Sequence, residues 1–259
     1  MRRLIVAEPV ARSAVWARRL AIFAVAIAAV ALALARLRDS DPQSVLTVFG
    51  AALVLAALAA LLAVAAAAVI WRDGLRGAEQ AAFGFALAAA LIAYPVYLAG
   101  LAFALPPIND VSTDLTSPPT FLLSAKARAA RAGEEPPLSS DGTRARQLAA
   151  YPDIATIAVE MDSTEAYQLA LSVAGDLHWR VVDSEPPNLN GDGAALIEAT
   201  ARSLFFGFAS DIAIRIRPGA ADTAIDVRSV ARVGRHDFGA NARRVRAFIA
   251  AVKEETRER

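Results

Sequence analysis

The chain has 259 residues, and 56% of them are apolar or aromatic, above the roughly 45–50% usual for soluble domains. Its charge is unevenly spread: 14 charged side chains fall in residues 1–105 and 39 in residues 106–259, for net charges of +4 and −3. This excludes a simple soluble globule and a disordered chain, and no block is basic enough to make nucleic acid a partner. With zero Cys there is no disulfide, no thiolate nucleophile and no Cys metal site.

Three apolar stretches come first. Leu20–Ala35, Val45–Trp71 and Ala81–Leu105 run 16, 27 and 25 residues without a charge. A hydrocarbon core about 30 Å thick needs roughly 20 apolar residues as a helix. The second and third qualify outright. The first qualifies if Ala17 extends it past Arg18 and Arg19, whose long stems reach the headgroups. Transmembrane helices are therefore expected over about 17–35, 45–71 and 81–105, within a membrane region spanning residues 1–105. An alternative for the first is a cleavable signal peptide, since five Arg precede it and Ala33-Leu34-Ala35 ends it.

Arg residues also set the expected orientation. Counting those near the span ends gives seven inside and two outside when the N-terminus is cytoplasmic, and the reverse otherwise. The C-terminal part is then extracytoplasmic, periplasmic in a bacterial inner membrane. The span interiors hold no ionisable residue, which argues against a pump or channel and for an anchor. The many Ala, with Gly50, Gly84 and Gly100, permit close helix packing. Pro95 should kink the third helix, and Tyr94 and Tyr97 are expected to face other spans.

Residues 106–153 read as loop, helix and linker. Pro106-Pro107 ends the third span, residues 122–132 favour a helix that stops at Gly133, and residues 133–153 contain Gly, Ser and three Pro.

Residues 154–259 read as an α+β domain. Ile157 and Val159 alternate as a short strand, and Asp162 with Glu165 resembles a capping box ahead of a helix striped by Ala166, Leu169, Ala170, Val173, Ala174 and Leu177. Strands follow over 178–185, 194–203 and around Ile212–Ile216, with a long turn over 186–193 and a hairpin at Pro218-Gly219 leading into Ile225–Arg228. Val245, Phe248, Ile249 and Val252 stripe a last helix beginning near Phe238. The order strand–helix–four strands–helix fits an antiparallel sheet with one face covered by two helices. It is similar to that of helix-grip folds that hold apolar ligands, an analogy of architecture only.

Two motifs carry a family resemblance. The run from Arg228 to Arg244, through Gly234-Arg235-His236-Asp237-Phe238-Gly239, and the opening Asn109-Asp110-Val111-Ser112-Thr113-Asp114 with Pro118-Pro119, resemble the domain of unknown function 1499 family over about residues 106–255. The resemblance implies a fold neighbourhood and no activity. Where other members carry a Cys in the opening motif this chain has Asp110, so no thiol role carries over.

The candidate chemistry is sparse. His236 beside Asp237 invites an acid–base reading, in which Asn241 would join them in a cell-envelope enzyme; the structural alternative is that Asp237 caps the last helix. His178 reads as a partly buried packing residue at a strand start. No metal-ligand spacing occurs, and neither metal nor cofactor is expected. Arg228, Arg232, Arg235 and Arg244, with Arg243, form a basic cluster suited to an anion or lipid headgroup. Alternatively they pair with Asp211, Asp226 and Glu198 to organise the sheet. Phe205, Phe206 and Phe208 with Leu204 make either an exposed contact patch or a piece of core. The expectation is a membrane-anchored, non-catalytic binding or interaction module. It would recognise lipid or an envelope protein through Phe205, Phe206, Phe208, Arg228, Arg232, Arg235, Asp237, Asn241 and Arg244. A structural subunit of a membrane assembly is the further alternative.

Overall fold

The computed structural model describes residues 9–37, 41–188 and 194–258. The chain divides into two compact units, Met1–Gly100 and Leu101–Arg259. Of the arginines counted above for orientation, Arg2, Arg3 and Arg38 lie outside the described residues, as does part of the turn over 186–193.

The first unit holds three helices long and apolar enough to cross a membrane: α1 (Arg12–Ala35), α2 (Pro42–Asp73) and α3 (Ala78–Ala104). Asp41 starts α2, accepting from the amides of Gln43 and Ser44, with Pro42 at the first helical position. Gly74 at φ +66° ends it. The buried residues of α1 are Ala14, Ala17, Ala21, Ala24, Ala28, Ala31 and Ala35, alternating steps of three and four. Those of α2 are Val45, Phe49, Ala52, Ala56, Ala59, Ala63 and Ala66 in the same rhythm. This is a heptad seam made mostly of methyl groups, which lets two backbones approach closely. α3 joins through Ala81, Gly84 and Ala88. A Cβ on Gly84 would stand 2.8 Å from the backbone of Ala17 and Arg18, so only glycine fits there. Gly50 and Gly100 meet nothing within 4 Å, so of the three glycines only Gly84 mediates packing. Tyr97, expected to face other spans, is exposed instead, because the buried residues of α3 all lie in its first half.

The second unit is α+β. Its elements are β1 (Asp110–Ser112), α4 (Ala125–Ala130), α5 (Asp141–Ala150), β2 (Ile157–Val159), α6 (Ser163–Asp176), β3 (Arg180–Glu185), β4 (Ala195–Arg202), β5 (Ala209–Pro218), β6 (Thr223–Ala231) and α7 (Ala240–Arg257). The antiparallel sheet runs β1-β6-β5-β4-β3, and β2 also pairs with β6. Residues 106–153, read as loop, helix and linker, supply the expected helix as α4 and, beyond it, a strand and a second helix. Three residues are too few for β1 to show alternation, so its pairing, not its sequence, defines it. α5 is likewise hidden in a polar stretch, and Ser140 starts it by accepting from the amide of Thr143.

α6 opens as expected, with Asp162 accepting from the amides of Thr164 and Glu165. It ends in a left-handed turn: His178 has φ +58°, and the amide of Trp179 bonds to the Ala174 carbonyl at 2.9 Å. His178 is consequently exposed in that turn, not packed at a strand start, and β3 begins at Arg180.

The alternation of β5 sorts the sheet into two unlike faces. Ile212, Ile214 and Ile216 stand opposite Ser229, Val227 and Ile225 of β6 and opposite Ala199, Ile197 and Ala195 of β4. These join Leu169 and Val173 of α6 and Val245, Phe248 and Val252 of α7 in one core, where Trp179 stacks on Phe248 at 5.4 Å. At roughly 25 cal/mol per Å² of apolar area, this layer is the main source of stability. The other face carries Glu198, Asp211, Arg215, Asp226 and Arg228 and is covered by residues 113–140 through ion pairs and main-chain hydrogen bonds.

Candidate functional site

The polar face is built by register. β1 sets Asp110 opposite Val230 and Ser112 opposite Arg228, so Asp110 and Arg228 share the face turned away from the core. The Arg228 guanidinium donates to both Asp110 carboxylate oxygens, at 3.0 and 2.8 Å, and to the Pro137 carbonyl at 2.8 Å. It is 1% exposed and lies 5.3 Å from the centre of the Phe121 ring. Arg131, also over that ring, pairs with the buried Glu198 and donates to the carbonyls of Leu122 and Glu134. Arg232 grips Asp211 through Nε at 2.8 Å and a terminal nitrogen at 2.6 Å.

Asp226 is taken by Arg215 at 2.9 Å and Arg217 at 2.7 Å, with Thr156 donating at 2.6 Å. Arg215 stands opposite Asp226 while Ala213 stands opposite Arg228, which is why Arg228 turns to Asp110 and not to its own strand neighbour. Burial alone would push the Asp226 carboxyl up, but the bonds from Thr156, Arg215 and Arg217 together hold it below its ordinary value. At Glu198 burial prevails over Arg131, and the carboxyl is pushed up.

A second network links the opening motif to the start of α7. Asp237 accepts from the amides of Gly239 at 2.9 Å and Asn241 at 2.7 Å. It caps the helix as expected, but from two residues before the Gly239 N-cap position, because Phe238 and Gly239 form a left-handed turn at φ +54° and +73°. Burial raises the Asp237 carboxyl against those two amide bonds. Asn241 donates to the Asn109 carbonyl at 2.8 Å, and its side-chain oxygen accepts from Ser229 at 2.9 Å and Arg244 at 2.6 Å.

His236 stands apart from this network. Its Nδ1 accepts from the Phe238 amide at 2.9 Å, its ring stacks on Phe238 at 4.7 Å, and its Nε2 is enclosed without a hydrogen-bond partner among the described residues. Nδ1 of His236 thus serves the Phe238 amide and both Asp237 oxygens serve helix amides, so among the described residues no hydrogen bond joins the two side chains as an acid–base pair.

The Arg cluster is therefore not one site. Arg228 and Arg232 are tied to aspartates, Arg244 serves the α7 network, Arg243 donates to the Phe238 carbonyl and Arg235 is exposed. The apolar run forms the turn from β4 to β5. Phe206 is buried, edge-on to Phe205 at 4.9 Å and stacked on Phe208 at 5.2 Å, whereas Leu204 is 94% exposed. The run is part core and part surface.

Both motifs meet at a cleft of about 360 Å³. Asn109, Asp110, Val230 and Arg232 line one side, and the strap of residues 134–140 lines the other. The strap is pinned by Arg228 on the Pro137 carbonyl, by Arg131 on the Glu134 carbonyl and by the Ser139 hydroxyl on Asp110. Between the sheet and its two helices, by contrast, the isoleucines and Phe248 fill the space, so the helix-grip analogy finds no support there. Sequence reasoning missed Arg131, Glu134, Ser139 and Asp211 as cleft residues. The one signal was Asp110 in the opening motif, and its partner lies 118 residues away.

Three apolar helices followed by an antiparallel sheet, apolar on its helix-covered face and ion-paired on the other, define a membrane-associated α+β protein. Residues 110–252 match a family described as protein of unknown function (DUF1499), and the chain belongs to that family. No curated protein matches the chain.

Proposed function

We propose that the protein is a membrane-anchored, extracytoplasmic, non-catalytic binding module of the inner (plasma) membrane, with its ligand seat in the cleft between the sheet and residues 134–140. The observation that carries this reading is the convergence of the two signature segments on one walled cleft, where Asp110 and Arg232 are held rigidly by buried partners. About 360 Å³ lies within the range of small-molecule sites. The exposed Leu204 and the half-buried Phe205 offer a second contact, to a lipid surface or an envelope protein. Catalysis finds less support, because both oxygens of Asp237 are engaged by helix amides and Nε2 of His236 is shut in.

Orientation is tested by a reporter fused behind Arg259. Alkaline phosphatase should be active there and a fluorescent protein dark; the opposite pair of results overturns the extracytoplasmic assignment. The seat is tested by native mass spectrometry of the full chain from nanodiscs. The wild type should carry a small molecule that the cleft-filling Val230→Phe variant lacks. Identical complements on both sink the cleft as the seat.

A further inference from the structure

We propose, building on the membrane-anchored reading above, that the turn from β4 to β5 dips into the bilayer that the protein's own helices cross, so that lipid and not an envelope protein meets Leu204 and Phe205. The apolar run of α3 ends at Leu105, which places that residue where hydrocarbon gives way to headgroups. The last turn of α3 and Leu105 belong to the second unit, and the residues that follow are built into its sheet. The Ile108 carbonyl accepts from the Asp237 amide at 3.0 Å and the Asn109 carbonyl from the Ala231 amide at 2.8 Å. Leu105 itself abuts Gly239, its Cδ1 lying 2.8 Å from where a Cβ on that glycine would stand. β1 then starts at Asp110.

Strand direction carries that position across the sheet. β1 is antiparallel to β6, β6 to β5 and β5 to β4, pairing Asp110 with Val230, Val230 with Asp211 and Asp211 with Thr200. The start of β1, the end of β6, the start of β5 and the end of β4 therefore share one end of the sheet, the end nearest Leu105. The turn of residues 203–208 lies at that end, two to three strand spacings from β1, about 10–14 Å at roughly 4.8 Å each. The turn of residues 219–222 lies at the other end of β5, about 30 Å away at roughly 3.3 Å per residue.

The turn is braced so that its tip presents apolar surface. The Ser203 amide donates to the Phe208 carbonyl at 2.8 Å, the Ser203 hydroxyl accepts from the Phe208 amide at 2.9 Å, and Arg202 donates to the Gly207 carbonyl at 2.9 Å. Phe206 is buried and stacks on Phe208. Leu204 is left 94% exposed, as exposed as Phe103 in the last turn of α3. A lone exposed leucine is unremarkable on a soluble surface; here it stands at the sheet end where the chain leaves the membrane. Arg202 and Arg235, exposed at the same end, have stems long enough to leave their charges among the headgroups.

Because the chain has no Cys, one introduced Cys carries a single nitroxide. The full chain is labelled at Leu204→Cys, at Ala220→Cys in the opposite turn, or at Leu61→Cys midway along α2, all exposed positions, and unchanged thermal unfolding shows that each variant is folded. Electron paramagnetic resonance in vesicles of phosphatidylethanolamine and phosphatidylglycerol, with no other protein present, compares relaxation by oxygen, which partitions into lipid, with relaxation by a water-soluble nickel chelate on both sides. Oxygen should dominate at Leu61 and Leu204 and the chelate at Ala220. Chelate access at Leu204 with Leu61 in lipid overturns the inference, assigns the turn to a protein partner and leaves the anchored reading standing. Leu204 reached by neither reagent overturns it as well, since protein then covers the turn, and so does lipid contact at both ends of β5. Chelate access at Leu61 removes the anchoring itself, and the inference with it.

Discussion

Arg228 and Asp110 are a bidentate pair with almost no access to water, and such a pair is far more costly to halve than to remove. Arg228→Met leaves Asp110 buried beside an apolar chain and should lower stability by about 3–5 kcal/mol. Arg228→Met combined with Asp110→Leu should regain most of that loss. Denaturant unfolding of the full chain in detergent, followed by Trp179 fluorescence, measures both. Asp226 makes a prediction about acid. Its folded carboxyl lies below the ordinary value of about 4, so the unfolded chain binds protons first and ionised Asp226 contributes stability above that value. That contribution is lost as pH falls through the folded pKa. Asp226→Asn should flatten the acid limb of a stability–pH curve below about pH 4, and an unchanged limb refutes the assignment. At this scale the sequence was partly legible. Asp162 and Asp237 were recognisable as caps because capping is local. The partner of Arg228 was not, because alternation gives a side chain its face but not the strand that lies alongside, and here that strand is three residues long.

The seam between α1 and α2 is made of side chains too small to tolerate growth. Ala56→Leu inserts about three carbons where the native methyl is fully buried, and should cost about 1–3 kcal/mol, read as a lower thermal transition in detergent. The adjacent Ala57 is exposed and lies off the seam, so Ala57→Leu, the same change one position along, should leave the transition unchanged. Gly84→Ala should act like Ala56→Leu, because the added methyl meets main chain that cannot step aside. The abundance of alanine was visible from composition, but its meaning lay in the three–four rhythm of Ala14 to Ala35, which is read only when the apolar run is searched for a seam and not merely measured for length. Span limits moved outward for a related reason: α1 extends back to Arg12 because charged residues belong in a helix that continues into the headgroup layer.

Taken as a whole, the chain keeps its two kinds of sequence in two compact units, and the hydrophobic periodicity of residues 154–252 was enough to give the order of elements along the chain and an antiparallel sheet with two helices on one face, though not the order of strands within that sheet. What periodicity could not give was the contribution of residues 106–153, whose prolines and short elements make sense only against the sheet they cover. A cleaved signal peptide is also testable at this scale. Removing residues 1–35 would strip α1 from α2 and expose a row of seven buried positions. The intact mass of membrane-extracted protein should therefore include α1, and a mature N-terminus at Arg36 would contradict the packed seam.

The pairing of β1 with β6 has a consequence for biosynthesis. Asp110 leaves the ribosome 118 residues ahead of Arg228, so the first strand of the sheet waits for the last. Until then it is an open edge with an uncompensated acid beside it, and a nascent chain arrested before Ala231 presents that edge to proteases and to its neighbours. Quality control in this protein is thus tied to completion: the head domain closes only once almost all of it has been made.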